Sequence, residues 1–256
     1  MRVTDWIEPP VGSLLDVGCN IGAWLSDCAR LYPSARLAGV EINKSALAVA
    51  QVNVPTAELH NAGAENLPFP DQYFDCVTCV EVLEHLPANL RPEAFREMHR
   101  VLRPGGRLIL TVPHAGWFAW LDSNNVRHRL PRLYRRVVGQ GKRDAGYADF
   151  DREVEWHHHF TVAELNRLAG DGWRTVAVRH GGLVIYPLMD WLSWPFYRLG
   201  LSGHPVRRLF ERLAGCDYRI DFGSASYGVL IALERIATES RPNQELPPAV
   251  MSPLEQ

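Results

Sequence analysis

The sequence lacks the features that would place it across a membrane or attach it to nucleic acid through overall charge. No apolar run among its 256 residues reaches the length that crosses a bilayer, and the longest, residues 183–194, is interrupted by Asp190. Lysine and arginine number 27 against 29 acidic residues, so the net charge of −2 provides no general attraction to nucleic acid. No segment has the pattern of a secretory signal peptide, so we expect a cytoplasmic protein.

Cysteine is scarce, with five residues, and its spacing does not indicate a disulfide framework. Cys76 and Cys79 have the spacing of a C-x-x-C motif, but the apolar run at residues 73–80 predicts a strand around them. Residues three apart on a strand point to opposite faces, so these thiols cannot readily share a metal ion or a disulfide. We predict buried free thiols.

Residues 14–22, with the sequence Leu-Leu-Asp-Val-Gly-Cys-Asn-Ile-Gly, carry the strongest functional signal. They predict a short apolar strand, a tight turn, and a helix that begins at about Ala23. Gly18 and Gly22 lack side chains at points where the backbone bends and a ligand approaches closely. Asp16 stands at the tip of the strand, where wound α/β sheets bind ligands. A buried aspartate there is costly unless it is paired, which favours a binding site over a turn without a ligand.

Further segments follow in the order that one fold requires. They are a strand that ends in Glu41, a loop at residues 63–69, a strand that runs into Glu-Val-Leu-Glu-His at 81–85, and a helix at 95–102 stopped by Pro104-Gly105-Gly106 before a strand at 107–112. Each pattern alone is a weak signal. Their ordered occurrence across residues 14–114 is a strong one.

These motifs resemble those of class I S-adenosylmethionine-dependent methyltransferases, in particular the ubiquinone-biosynthesis-like subgroup (methyltransferase domain 11). The resemblance implies an α/β, Rossmann-like fold with a seven-stranded, mostly parallel sheet of order 3-2-1-4-5-7-6. The last strand is expected to be antiparallel, with helices on both faces and helical lid insertions. It implies S-adenosyl-L-methionine as the cofactor and S-adenosyl-L-homocysteine as its product.

The resemblance also implies which residues hold the cofactor, with the Glu41 carboxylate accepting both hydroxyls of the ribose. Gly63 stands where the family often has an aspartate, so contacts to the adenine are expected from the backbone. The implied cofactor residues are Asp16, Gly18, Cys19, Asn20, Gly22, Glu41, Ile42, Ala64, Glu65, Asn66, Val80, Glu81 and His85.

A dinucleotide-binding oxidoreductase, using NAD(P), is the nearest alternative. Its G-x-G-x-x-G/A fingerprint would fall on Gly18, Asn20 and Ala23. The middle glycine, which lets the backbone approach a pyrophosphate, is replaced by Asn20. The carboxylate of Asp16 also disfavours a pyrophosphate, whereas it suits a ligand that carries sulfonium and ammonium groups.

The chain is predicted to be a single methyltransferase domain over residues 1–236. Residues 12–114 form its cofactor-binding core, and residues 115–160 and 183–222 are insertions on the side of the methyl acceptor. Between them we expect a helix capped by Thr161 and a strand at 173–179, followed by a last strand at 226–234. Residues 237–256, which are rich in proline, are expected to be a disordered tail.

Methyl transfer to a hydroxyl needs a general base, and histidine is the usual base near neutral pH. The candidates are His114, His85 and His158, and the expected acceptor-binding residues are His114, Trp117, Tyr147, His157 and His159. Consecutive side chains in the run 157–159 point in different directions, so we predict no metal site. At most one or two of these histidines would bind an ion, together with Asp149, Asp151 or Glu155.

Two basic segments bear on the acceptor. Residues 127–143 contain seven lysines and arginines and no acid, with Arg129, Arg132 and Arg136 on one helical face, and residues 206–213 repeat the pattern. They are either surface helices with solvated arginines or sites for a membrane surface or an anionic group. We predict a small-molecule acceptor that is apolar, lipid-like or aromatic, with O-methylation preferred and peripheral membrane contact an option.

A nucleic-acid or protein methyltransferase is a second class that the sequence leaves open. The near-neutral charge opposes it, as does Glu81-Val82-Leu83-Glu84 in place of an Asn/Asp-Pro-Pro-Tyr loop after the fourth strand. No nucleic-acid partner is therefore expected. A cofactor-binding module without catalytic activity is the third class, and the intact first motif opposes it.

Overall fold

The computed structural model describes residues 3–8, 10–125, 129–130, 132, 157–201 and 203–236. Tyr147, Arg136, most of the first insertion and the tail at 237–256 lie outside these ranges. The domain boundaries at 1–236 stay a prediction.

A single sheet of seven strands organises the protein, in the order β3-β2-β1-β4-β5-β7-β6. Neighbouring strands from β3 to β5 are parallel, and β7 runs antiparallel to both β5 and β6. The predicted fold class and strand order are confirmed. The strands are β1 Ser13–Val17, β2 Arg36–Val40, β3 Glu58–His60, β4 Phe74–Val80, β5 Leu102–Pro113, β6 Trp173–Gly181 and β7 Gly228–Arg235.

Six α-helices accompany the strands in the described ranges. They are α1 Ala23–Leu31, α2 Lys44–Asn53, α3 Arg91–Val101, α4 Val162–Ala169, α5 Ile185–Arg198 and α6 Pro205–Asp217. The helix α3 begins a turn earlier than the predicted residue 95, with a proline in its first turn. The strand β5 begins at Leu102, well before residue 107, because Leu102 already pairs with Phe74 of β4. Gly105, with φ 77°, lies in the irregular stretch before the regular pairing resumes at Arg107. None of the helices described combines the length and hydropathy needed to cross a bilayer.

The central strands are buried on both faces, as expected where helices cover a parallel sheet on both sides. Leu15, Val77 and Cys79 belong to one apolar cluster, whereas Leu14 and Cys76 belong to a second. Alternation along the strands explains this division. Both cysteines are buried and free, as predicted.

The second insertion contacts the start of the first. Helices α5 and α6 pack on each other, and Trp191 Nε1 donates to the Leu121 carbonyl at 2.6 Å. Ser123 donates to Asp190, which is the acid that interrupts the apolar run. The insertions are thereby joined through residues 119–125.

Arg100 connects helix α3 to the loop that follows β3. Its guanidinium donates to both carboxylate oxygens of Glu97, to the carbonyls of Leu67 and Phe69, and to Asp71, at 2.7–2.9 Å. This planar set of donors matches several acceptors at once. Arg100 therefore fixes the loop immediately after residues 64–66.

Replacement of Arg100 by lysine tests this role. A single ammonium group cannot donate to two carbonyls and two carboxylates, so Arg100→Lys should lower the free energy of unfolding by about 1–3 kcal/mol. Urea denaturation measures the change. The matched control is Arg96→Lys, where the arginine is exposed and pairs with Glu93; its effect should stay below about 0.5 kcal/mol. Equal effects of the two substitutions would contradict the assignment.

Candidate active site

The turn after β1 is built from residues in the left-handed region of backbone conformation. The φ angles are 78° at Gly18, 48° at Asn20 and 76° at Gly22. Asparagine is one of the few residues with a side chain that adopts this region readily. At Gly18 a Cβ atom would also lie 2.4 Å from a methyl carbon of Val82. Glycine is required there by conformation and by packing.

Glu41 follows β2 and holds this turn from one side. Its Oε2 accepts the amide of Asn20 at 2.9 Å, and its Oε1 accepts the amide of Asn43 at 2.8 Å. The Asn61 side chain donates to the carbonyls of Glu41 and Ile42 at 2.8 and 2.9 Å, which fixes the local backbone. Each carboxylate oxygen of the buried Glu41 has a further lone pair, so the group can accept two hydroxyls.

Asp16 is buried beside the turn, with 3% of its surface exposed. It accepts a hydrogen bond from Thr78 Oγ1 at 2.9 Å, and Trp24 Nε1 donates to the same Thr78 oxygen at 3.1 Å. Burial raises the pKa of Asp16 to about 7; the Thr78 hydrogen bond opposes the rise, and the negative charge of Glu41 adds to it. A carboxyl group that is partly protonated and partly ionised at neutral pH can bind a positively charged ligand in its ionised form.

The amide groups of the turn bear on the dinucleotide alternative. Four of the five donate within the protein: two to the carbonyl of Val40, one to the carboxylate of Glu41 and one to the carbonyl of Cys19. A pyrophosphate depends on such amides and is repelled by carboxylates. The turn is therefore poorly suited to a pyrophosphate.

The loop after β3 is arranged around Gly63. A Cβ atom at this position would lie 2.5–2.7 Å from the carboxyl group of Glu65, which folds back over it. Ala64 is buried, and the exposed Asn66 donates its amide to the Gly63 carbonyl at 3.2 Å.

Two acids lie close together where β4 ends. Glu81 has φ 54° and donates its amide to the Thr111 carbonyl at 3.0 Å. Its side chain is exposed, and desolvation by the protein around it raises its pKa, opposed by a hydrogen bond with Thr111. Burial raises the pKa of Glu84 well above the usual value, and the charge of Glu81 raises it further. The two carboxyl groups lie close enough for the charge of each to affect the proton affinity of the other.

A group of buried polar side chains surrounds Glu84. His157 is fixed by a reciprocal pair of hydrogen bonds with the Asn125 side chain, at 2.8 and 2.9 Å. Its Nδ1 lies 2.5 Å from Asp122 Oδ2, and its Nε2 lies 3.9 Å from Glu84 Oε1. His85 Nε2 lies 3.8 Å from the same Glu84 oxygen.

The other two histidines of the triple run separate. His159 lies 3.5 Å from Asp122 and packs edge-on against Tyr227, and its pKa is lowered to about 4, chiefly by burial. His158 instead pairs with Glu164 of α4 at 2.8 Å. His158 therefore has no place in the buried group that contains His157 and His159.

His114 is buried at the end of β5. Its Nδ1 lies 3.0 Å from the carbonyl of Ser226, which only accepts, so this nitrogen carries the proton and Nε2 has the free lone pair. Burial, opposed in part by this hydrogen bond, lowers the pKa of His114. The arrangement suits a neutral imidazole that accepts a proton.

The predicted acceptor-binding roles of Trp117 and Tyr147 stay predictions. Trp117 is 74% exposed, and Tyr147 lies outside the described residues. The rings of Tyr218 and Tyr227 instead flank Tyr186, with centroids 4.6 and 5.3 Å away. Burial raises the pKa of Tyr218, and the charges of Glu81 and Glu84 raise it further, so this cluster lies near the two acids. No pattern in the sequence predicted that these three tyrosines pack together.

Known proteins with similar sequences include methyltransferases. A family model described as a methyltransferase domain matches residues 15–110. A ubiquinone biosynthesis O-methyltransferase from Pseudomonas savastanoi pv. phaseolicola is 32% identical over 164 residues, covering 56% of this chain and 68% of the relative. A demethylmenaquinone methyltransferase from Listeria welshimeri is 35% identical over 102 residues, covering 38% and 42%.

Solved structures share the fold at low identity. A SAM-dependent methyltransferase from Methanosarcina mazei has a TM-score of 0.56 at 20% identity, covering 92% of this chain and 97% of that one. Geranyl diphosphate C-methyltransferase from Streptomyces coelicolor A3(2), crystallised with S-adenosyl-L-homocysteine, has a TM-score of 0.58 at 15% identity, covering 91% and 75%.

The glycine turn, the two buried acids beside it and the sheet order therefore agree with these comparisons. The chain belongs to the methyltransferase domain family of class I enzymes, which transfer a methyl group from S-adenosyl-L-methionine to small molecules.

Proposed function

We propose that this enzyme methylates a hydroxyl oxygen on a small aromatic acceptor with an apolar, lipid-like part. The observation that carries the proposal is the buried His114 at the end of β5, whose Nδ1 donates to the Ser226 carbonyl and leaves Nε2 able to accept a proton. A base is needed when the nucleophile carries a proton in its reactive state, as a hydroxyl does. The similarity to a ubiquinone biosynthesis O-methyltransferase supports the same acceptor class.

The cofactor site is proposed to lie across the turn after β1. S-adenosyl-L-methionine supplies an electrophilic methyl group on a sulfonium when it is bound. Glu41 accepts the ribose hydroxyls, Asp16 attracts the ammonium group, and the backbone at Ala64 and Glu65 borders the adenine. These positions rest on the hydrogen-bonding capacity of Glu41 and the raised pKa of Asp16.

The chain's own part in the reaction is mainly to align the two reactants, which removes much of the entropic barrier. With the methyl donor bound, Nε2 of His114 would accept the proton that the acceptor hydroxyl loses as its oxygen takes the methyl group and the donor leaves as the thioether. The hydrogen bond from Nδ1 of His114 to the Ser226 carbonyl keeps Nε2 available. The tyrosine cluster supplies an apolar wall for the acceptor.

Binding of S-adenosyl-L-homocysteine tests the role of Asp16. A bound ammonium group stabilises the ionised carboxylate and lowers its pKa from the value of about 7 in the free protein. The affinity should therefore rise with pH up to about 7 and level off above it, with release of a fraction of a proton at pH 7. Titration calorimetry in buffers of different ionisation enthalpy measures both quantities.

The control for this experiment is Asp16→Asn, which removes the charge and keeps the size. It should bind the ligand more weakly, and any pH dependence that remains reports the ligand's own amine. Identical pH profiles for the two proteins would contradict the role of Asp16. Binding of NADH, without binding of S-adenosyl-L-homocysteine, would favour the dinucleotide alternative.

Acceptor methylation tests the role of His114. A panel of alkylated phenols, catechols and matching anilines is incubated with the enzyme and S-adenosyl-L-methionine, and the products are identified by mass spectrometry. Methylation of the hydroxyl compounds is expected. His114→Gln should lower kcat by about 10²–10⁴-fold, the usual contribution of a general base, with cofactor affinity unchanged.

The matched control is His158→Gln, which changes a histidine that pairs with Glu164 outside the buried group. It should leave kcat unchanged. Methylation of anilines alone would contradict O-methylation, and full activity of His114→Gln would exclude His114 as the base.

Peripheral contact with a membrane is a second part of the proposal. On α6, Leu209 and Leu213 are 51% and 42% exposed, beside the exposed Arg208 and Arg212. Such a stripe is typical of helices that lie on anionic bilayers. In the earlier basic segment, Arg132 is exposed, and Arg136 lies outside the described residues.

Vesicle cosedimentation tests this contact. Replacement of Leu209 and Leu213 by serine should reduce binding to vesicles of equimolar phosphatidylcholine and phosphatidylglycerol, because apolar area and charge act together. Replacement of the exposed Val49 and Val52 of α2 by serine is the matched control and should have no effect. Equal binding of all three proteins would contradict the membrane contact.

A further inference from the structure

We propose that His180 of β6 is a positioning residue that takes up the positive charge which would otherwise fall on His114, so that His114 stays able to accept a proton. Asp221, on the loop before β7, stabilises that charge on His180. The inference rests on the proposed function in one respect, namely that His114 is the base. The contact between the two histidines does not depend on that function.

The two imidazole rings meet beside the start of β7. This strand lies between β5 and β6, and its residue Gly228 pairs with Pro113 of β5 while Val229 pairs with His180 of β6. Both histidines therefore lie at the carboxyl ends of their strands. Their ring centroids are 4.9 Å apart, with an angle of 71° between the ring planes. At this distance a positive charge on one ring acts strongly on the other.

The surroundings of the two rings favour a charge on His180. The side chain of His180 is 18% exposed, and its Nδ1 lies 4.0 Å from Oδ1 of Asp221. His114 is 5% exposed, and its Nδ1 donates to a neutral acceptor, the carbonyl of Ser226. Water and a carboxylate both stabilise an imidazolium. The first proton that the pair takes up on acidification therefore goes to His180.

A second proton on the pair is disfavoured. Burial lowers the pKa of His114, the hydrogen bond to the Ser226 carbonyl opposes this change, and the charge of His180 adds to it. Two interacting groups of this kind take up their protons in separate steps. With the first proton on His180, His114 stays neutral to a lower pH than burial alone would provide. A proton received from an acceptor hydroxyl is also lost more readily from His114 to solvent.

Asp221 is fixed in its ionised form. Its Oδ2 accepts the amide of His180 at 3.2 Å, and its Oδ1 accepts the amide of Gly223 at 2.7 Å. Partial burial favours the protonated carboxyl group, but these two amides and the positive charges of His180 and Arg179 together lower the pKa of Asp221. The carboxylate is therefore negatively charged at neutral pH, where it stabilises a proton on His180.

The loop that carries Asp221 also orients His114. The Ser226 hydroxyl accepts the amide of Phe222 at 3.0 Å, and the Ser226 carbonyl accepts Nδ1 of His114 at 3.0 Å. Residues 221–226 thus contact both histidines, with a carboxylate beside His180 and a carbonyl on His114. The loop assigns the charge to one ring and the neutral tautomer to the other.

The other elements around the pair bring no competing charge in the described structure. The segment at Phe160 contacts the end of β5 through backbone hydrogen bonds, and its side chain is apolar. Tyr227 accepts the amide of His114 through its carbonyl, and burial raises the pKa of its phenol, which stays neutral. Arg179 and Asp221 are the charged groups on the side of β6. His180 is therefore the titratable neighbour that acts on His114.

Histidine NMR tests this coupling without any acceptor. The full-length protein is labelled with ¹⁵N at histidine and titrated with acid, and the His114 signals are assigned by their loss in His114→Gln. His180→Gln should move the titration of His114 to a pH about 0.5–1 higher, because the neighbouring positive charge is gone. Binding of S-adenosyl-L-homocysteine checks the fold of the variant. An unchanged titration of His114 in the folded variant would overturn the proposal.

The pH dependence of kcat tests the consequence for the reaction. At saturating S-adenosyl-L-methionine and acceptor, kcat falls on acidification as His114 takes up a proton. His180→Gln should move this fall to a pH about 0.5–1 higher and leave kcat within about twofold near pH 8, where both histidines are neutral. His180→Lys keeps a positive charge beside Asp221 and should return the fall toward the wild-type pH. A loss of kcat that is equal at every pH would indicate a structural role and overturn the proposal.

The matched control is His158→Gln, which removes a histidine that pairs with Glu164. It should change neither the titration of His114 nor the pH dependence of kcat. Coupled titration of the two histidines without methylation of any hydroxyl compound would refute the acceptor class and leave the pair standing. Methylation of hydroxyl compounds with the same pH dependence in His180→Gln as in the wild type would refute the role of His180 and leave the proposed function standing.

Discussion

The carboxylate of Glu41, held by the amides of Asn20 and Asn43, is the interaction on which the rest of the site depends. It joins the end of β2 to the turn after β1 and consumes an amide that a phosphate would need. Asp16 adds a second buried acid beside it, with a pKa raised to about 7. Two buried acids at adjacent strand ends are stabilised in their ionised forms by a positively charged ligand, such as a sulfonium cofactor with an ammonium group.

A second pair of neighbouring acids lies where β4 ends. Glu84 is buried, and the charge of the nearby Glu81 adds to the rise in its pKa. The strand order places this acidic pair next to the cofactor side, because β1 and β4 are neighbours. Acidic side chains thus lie together at the carboxyl ends of three neighbouring strands. A cationic methyl donor bound there would stabilise their ionised forms.

The turn after β1 and the position of Glu41 after β2 could be predicted from the sequence because glycine placement and apolar runs are local signals. The strand order was implied by the resemblance of the ordered motifs to a known family, and the cofactor contacts stay a prediction. The acceptor half could not be predicted in this way. Asp122 and Asn125 lie on a short irregular segment, and Tyr218 and Tyr227 come from different elements, so no periodic pattern connects them with His157. Three-dimensional packing alone brings these residues together.

A crystal structure of the enzyme with S-adenosyl-L-homocysteine tests the central claim most directly. The account predicts both ribose hydroxyls within hydrogen-bond distance of the Glu41 carboxylate, and the ammonium group beside Asp16. A ligand bound elsewhere, or a ribose that contacts neither acid while side chains of the protein fill the crevice between them, would contradict it.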